Sequence, residues 1–246
     1  EILTQMGISP EVFAFCEKQE EGLSEKFKEI DRIAEANQWK VLEAFQAERI
    51  ADTHFETTSG YGYTDIGRDT LERVYARIFH AEDALVRPQI ISGTHALATT
   101  VFGILRPGDE IVFAVGTPYD TMQGVVGIRE EKGSLAEHGV THKIVPLKED
   151  GYPDIEAIKA AIGPKTKVVE IQRSKGYDAR HTLAVREIGE IIAAVKSVKP
   201  DVIAMVDNCY GEFVQEIEPT DVGADVCVGS LIKNIGGGLA PIGGYI

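Results

Sequence analysis

"KVVEIQRSKGYDARHTLAVREIGEIIAAVKSVKPDVIAMVD", residues 167–207, sets two apolar runs, "KVVEIQ" and "VIAMVD", on either side of the helical pattern "VREIGEIIAAVKS". Strand, helix and strand in that order predict a parallel crossover unit. The same rhythm extends in both directions: "QIIS", "EIVFAV", "HKIVPL" and "DVCVGS" read as further strands, with "ALATTVFGIL" and "IEAIKAAI" as helices between them. The expected fold class is therefore α/β, three-layered, with a mainly parallel sheet covered by helices on both faces.

Before this region the pattern is helical. In "SPEVFAFCEKQ", Ser9 is placed as N-cap with Pro10 at the first helical position. A second helix, roughly 23–50, spaces Leu23, Phe27, Ile30, Ile33, Ala34, Val41, Leu42 and Phe45 at three and four, which predicts one face buried against another domain or subunit. "TTSGYGYTDIGRD" breaks the pattern as a loop before the helix "TLERVYARIF". Two parts follow: a helical segment, residues 1–59, and an α/β unit, residues 60–246.

Composition narrows the function classes. A net charge of −14 argues against nucleic acid and anionic membrane surfaces as partners and favours small molecules. Cys16, Cys209 and Cys227 are too few and too scattered for a disulfide framework, and no CxxC spacing suggests a metal. The first thirty residues are crowded with Glu and Lys, so no signal-peptide core is expected, and no run of about 18 apolar residues suggests a membrane span. The expected compartment is the cytoplasm.

In open parallel sheets ligands sit beyond the carboxyl ends of the strands, and three such ends stand out. "SGTHA" is a turn into a helix start, where N–H groups near Gly93, Thr94 and His95 would be unpaired and suited to a phosphate. A strand–Gly–helix turn is also common for structural reasons alone, and neither GxGxxG nor GxxxxGK[ST] is present. Asp207 ends the run "VIAMV" as either a turn former or a carboxylate facing a ring nitrogen. Lys233 leaves "SLIK" just before three glycines, and is either a lysine escaping to solvent or a partly desolvated amine that loses its proton more readily and attacks a carbonyl. A phosphate seat, a carboxylate and a reactive lysine together match the needs of pyridoxal 5'-phosphate. The glycines after Lys233 would let the backbone pass close to that cofactor.

With these residues in place, "SGTHALATTVFGILRPGDEI", "PYDT", "IQRSKGY", "DNCYGEF" and "GSLIKNIGGG" resemble the methionine gamma-lyase-like proteins, also called the aluminium-resistance family, within the fold-type I pyridoxal-phosphate enzymes of the cystathionine and methionine lyase group. The likeness runs from about residue 60 to the end. It implies that Ser92, Gly93 and Thr94 bind the phosphate through backbone amides, that Ser230 adds a hydroxyl, and that Lys233 holds the cofactor opposite Asp207. Tyr119 falls where the lyases stack a ring on the pyridine and use its hydroxyl in proton transfer; without the resemblance it is a tyrosine in a surface turn. Tyr63 falls at the tyrosine that reaches a neighbour's phosphate, implying a homodimer or homotetramer with a shared active site. Without the resemblance, Tyr61 and Tyr63 are loop packing residues.

Several positions depart from the lyase pattern. Asp65 stands where an arginine is usual, with Arg68 as a possible substitute; Gly176 replaces an asparagine, leaving Arg173 or Lys175 to serve; Ile232 and Cys209 replace threonines. The arginine for the substrate carboxylate belongs to a C-terminal small domain expected beyond Ile246. The resemblance implies a carbon–sulfur lyase acting on a methionine- or cystathionine-type amino acid. Transamination, aldol cleavage, racemisation, cofactor binding without turnover, and an α/β domain binding another phosphorylated ligand remain open at this point.

Overall fold

The computed structural model describes residues 2–63 and 65–246. Three helices come first: α1 (Ile2–Gln5), α2 (Pro10–Glu21) and α3 (Ser24–Ala47), then α4 (Ile66–Ile78). Ser9 caps α2 as expected, its hydroxyl accepting from the Val12 N–H at 3.3 Å. The predicted apolar face of α3 is covered only in part within this chain. Asn37 and Ala44 are buried, Ala44 against Val74 and Ile78 of α4, while Phe27 and Ile30 stay exposed.

The alternating region follows in the order β1 (Val86–Arg87), α5 (Gly93–Ile104), β2 (Glu110–Phe113), α6 (Asp120–Val126), β3 (Thr141–Ile144), α7 (Ile155–Ala161), β4 (Thr166–Gln172), α8 (Val185–Val198), β5 (Ile203–Asp207), β6 (Val226–Ser230) and β7 (Gly244–Tyr245). One seven-stranded sheet results, ordered β1-β7-β6-β5-β4-β2-β3. β2 to β6 run parallel, and β7 lies antiparallel between β1 and β6.

Strand alternation explains the three layers. Val169, Ile171, Ala204 and Val206 point to one face, where Ile158 of α7 and Ile188, Ile191 and Val195 of α8 cover them. Val168, Met205 and Val228 point to the other, where Ala96, Leu97 and Val101 of α5 and Met122 of α6 pack. Both faces are dry, so these strands read as continuous apolar runs.

One strand expectation needs correction, and one short strand was not expected. "QIIS" is not a strand: the Ile90 N–H bonds back to the Arg87 carbonyl, a turn after Pro88, and the strand proper is the two residues before it. β7, at "GY", had no apolar run to announce it. Among the described residues no helix is long and apolar enough to cross a membrane.

Candidate active site

A cavity of about 520 Å³ opens beyond the carboxyl ends of β4, β5 and β6, against the N-termini of α5 and α6. Ser92, Gly93, Thr94, Tyr119, Asp207, Ser230 and Lys233 all line it. The chain thus gathers six of the seven proposed site residues into one place, along with Ser92. Tyr63 is not among the lining residues; it is exposed, its ring 5.4 Å from that of Tyr61.

Ser92 is the N-cap of α5, accepting from the His95 N–H at 3.1 Å, and His95 Nδ1 in turn accepts from the Ile91 N–H at 3.3 Å. His95 is therefore occupied in the helix turn. The Gly93 and Thr94 N–H groups have no acceptor among the described residues and sit at the positive end of the α5 dipole. Thr94 Oγ1 lies 2.8 Å from Thr121 Oγ1, tying the start of α5 to that of α6. Gly93 is needed for close approach: a Cβ there would meet Cys209 Sγ at 3.0 Å and Ser230 Cβ at 3.2 Å. Ser230 itself is buried, its hydroxyl accepting from the Ile232 N–H at 3.4 Å. Two free N–H groups and a buried hydroxyl around a glycine fit a phosphate.

Asp207 is buried, and its Oδ1 accepts from the Cys209 N–H at 3.1 Å. Burial pushes its carboxyl above the usual range, against the opposing pull of the Cys209 N–H, Arg180 and Lys233. A buried acid with one modest partner suits a ring nitrogen that can share a proton. Behind it on the same sheet face lies Glu170, pushed well up by burial and by Asp207, its Oε2 without a hydrogen-bond partner. Burial likewise raises the Cys209 thiol, which stays protonated.

Tyr119 begins α6, its N–H donating to Gln172 Oε1 at 2.9 Å, and its ring stands 6.1 Å from that of the exposed Tyr177. Burial and Tyr177 raise its phenol. Gly176, at φ 57°, turns the 174–182 loop past the Tyr119 ring.

Lys233 does not escape to solvent. Its Nζ donates to the Tyr210 hydroxyl at 2.6 Å. In the cofactor-free protein desolvation acts downward on the Lys233 ammonium, but the hydrogen bond to the Tyr210 hydroxyl outweighs it and holds the group above its ordinary value. The first of the following glycines also serves the chain itself. A Cβ on Gly236 would collide with the Leu231 carbonyl, so the glycine serves a tight 3₁₀ turn over Asn234–Gly236 folded back on its own chain.

Of the two suggested substitutes for the missing asparagine, Lys175 lines the cavity and Arg173 does not. Arg173 is fully buried and committed elsewhere, donating to Asn208 Oδ1 at 2.8 Å, the Gly211 carbonyl at 2.7 Å and Gln215 Oε1 at 3.1 Å, with Glu218 at 3.5 Å. Arg68 lines a separate cavity of about 350 Å³, near Asp65 at 3.6 Å and Asp69 at 3.7 Å.

The methionine gamma-lyase family model matches residues 12–246. The uncharacterised protein YnbB of Bacillus subtilis (strain 168) is 54% identical over 221 residues, 89% of this chain and 52% of that protein. An L-methionine gamma-lyase of Pseudomonas deceptionensis is 29% identical over 180 residues, 73% of this chain and 41% of that enzyme. The crystal structure of a carbon-sulfur lyase involved in aluminum resistance from Clostridium novyi NT superposes with a TM-score of 0.95 at 50% identity, covering 99% of this chain and 59% of that one. The chain spans about half the length of the curated relatives it matches.

Proposed function

Because the chain belongs to the methionine gamma-lyase family of fold-type I pyridoxal-phosphate enzymes, we propose that the whole protein is a carbon–sulfur lyase acting on an amino acid of the methionine or cystathionine type. When bound, pyridoxal phosphate supplies an aldehyde for a lysine amine and an aromatic ring that accepts electrons from a carbanion beside the substrate's amino group. The Gly93 and Thr94 amides and the Ser230 hydroxyl would hold its phosphate, Lys233 its aldehyde carbon, and Asp207 the proton on its ring nitrogen. Lys233 would take the substrate α-proton as general base; with sulfur on Cβ that electron pair suffices to break the carbon–sulfur bond, whereas with sulfur on Cγ a proton must also be taken from Cβ first, and in either case the Tyr119 hydroxyl would supply a proton to the departing sulfur. The low-dielectric floor made by Asp207 and its neighbours favours these charge movements over those in water.

One observation carries the reading: an anion seat, a buried acid and an amine, far apart in sequence, line a single cavity. Borohydride reduction of the cofactor-loaded protein followed by peptide mapping tests it. Modification confined to Lys233 is expected, and modification spread over surface lysines overturns the assignment. Product analysis with methionine, cystathionine, cysteine and threonine separates elimination from transamination, aldol cleavage and racemisation.

The division into a helical 1–59 segment and a cofactor-holding 60–246 unit is part of the same proposal, supported by the position of every strand after residue 85. So is a homodimer or homotetramer in which Tyr63 reaches the partner's phosphate. Sedimentation of the whole protein, with Tyr63→Phe weakening cofactor binding, is the expected result. A cytoplasmic location is supported by three free cysteines, Cys16, Cys209 and Cys227.

A further inference from the structure

Tyr210 meets the Lys233 amine twice: the hydroxyl accepts from Nζ at 2.6 Å, and the ring centre lies 4.1 Å from the same nitrogen. The backbone that permits this is unfavourable. Tyr210 has φ 68°, in the left-handed region where a bulky side chain is a genuine outlier. Such strain persists only where the surroundings over-determine it, and it clusters at functional sites. Here the surroundings do so. Asn234, the residue after Lys233, donates Nδ2 to the Tyr210 carbonyl at 2.9 Å and to the Glu212 carbonyl at 3.0 Å. The Gly211 N–H donates to the Asn208 carbonyl at 2.8 Å, and a Cβ on Gly211 would strike Arg173 and Asn208. A glycine or asparagine would relieve the strain at position 210, yet the position holds a phenol aimed at an amine.

We propose that Tyr210 is a positioning residue of this site, whose hydroxyl holds the Lys233 amine inside the cavity before that amine engages the cofactor and so sets when it is free to react. The inference deepens the lyase reading and rests on it. An ammonium has three N–H donors and no acceptor, so the phenol oxygen can only accept from it, and the contact favours the charged form. To act as nucleophile or base the ammonium gives one proton to solvent water in the open cavity, which frees the nitrogen electron pair. The groups that face this nitrogen are Tyr210 and Cys209 on the loop after β5, Asp207 at the end of β5, and Tyr119 at the start of α6. Of these, Tyr210 is the one within hydrogen-bond distance.

The test is competitive reductive methylation of the cofactor-free whole protein across pH, with modification at each lysine read by mass spectrometry. In Tyr210→Phe the Lys233 midpoint is expected to fall, raising its labelling at pH 8 about tenfold while surface lysines are unchanged. Asn234→Ala keeps the phenol but frees its backbone, and should move the Lys233 profile part of the way in the same direction. A purely structural role would lower Tm in both variants and leave the Lys233 profile where it was; that result overturns the proposal. The two readings fail separately. A wild-type protein that shows the Lys233 profile yet never takes up pyridoxal phosphate sinks the lyase assignment, whereas cofactor attached at Lys233 with identical profiles in wild type and Tyr210→Phe sinks the role of Tyr210.

Discussion

Gln172 at the end of β4 and Asp207 at the end of β5 are register partners across the parallel sheet. The Gln172 amide spends both its ends on neighbouring segments: Oε1 accepts from the Tyr119 N–H at 2.9 Å and Nε2 donates to the Ser174 carbonyl at 2.9 Å. One ladder position therefore fixes the buried acid relative to the turn that bears Tyr119 and to the loop over the cavity mouth. The roles proposed for Asp207 and Tyr119 depend on that shared frame, and each can be removed without disturbing it.

Asp207→Asn should retain the cofactor colour and lose turnover by about 10²-fold or more, since the ring nitrogen is no longer held protonated. The folded-state pKa of Asp207 is raised, so its contribution to stability is present at low pH and lost as pH rises. In the cofactor-free protein the neutral amide should then leave Tm at pH 7 unchanged or higher. Near-normal turnover in this variant would refute the role of Asp207.

Tyr119→Phe keeps the ring and the bond from its backbone to Gln172, and deletes only the hydroxyl. Cofactor affinity should stay within about threefold of wild type while kcat falls about 10²-fold, the usual range for loss of a positioned proton donor. Equal losses in kcat and cofactor affinity would point to packing instead.

Glu212 is buried, and its carboxyl is pushed up to about 7 by burial, against the hydrogen bond donated by the Tyr245 hydroxyl at 2.9 Å. A folded pKa near 7 against an ordinary 4.5 makes the cofactor-free protein lose stability as pH rises through that window, by roughly 3 kcal/mol at most. Glu212→Gln should flatten the decline in Tm between pH 5 and pH 8. An unchanged slope would assign the decline to other groups.

Arg173→Met strands Glu218, which is buried against it, and should destabilise the fold by about 3–5 kcal/mol in urea denaturation. The double variant Arg173→Met, Glu218→Gln should recover part of that loss, because the orphaned charge is gone. Additive losses in the double variant would show that the Arg173 bonds to Asn208, Gly211 and Gln215 dominate.

The rhythm of the sheet was legible because β4 and β5 are covered on both faces and so spell continuous apolar runs. Their carboxyl ends then pointed to Asp207 and, with β6, to Lys233. Short elements left no such trace: β1 and β7 have two residues each, and Ile90 and Ile91 mimicked a strand that a turn after Pro88 prevents. The protonation of Lys233 could not be read either. It depends on Tyr210, 23 residues away, in a backbone conformation that no residue pattern around "DNCYGEF" signals. Arg173 misled for a related reason, since a strand-end arginine beside a site can as easily be drawn beneath it by buried acceptors.

The antiparallel β7 has a consequence for how the molecule is made. Among the described residues Val86 and Arg87 find their strand partner in Gly244 and Tyr245, so during translation this edge waits roughly 8 to 30 s for its mate to leave the ribosome. Over that interval the rings of Tyr75 and Phe79 also lack Tyr245, which ends up 5.9 and 5.3 Å from them. The parallel half can assemble vectorially, strand by strand, but the flank that joins α4 to the sheet closes only after those parallel strands have emerged, and a nascent chain stalled shortly before residue 244 would present an unpaired edge and a bare aromatic surface to chaperones or to other nascent chains.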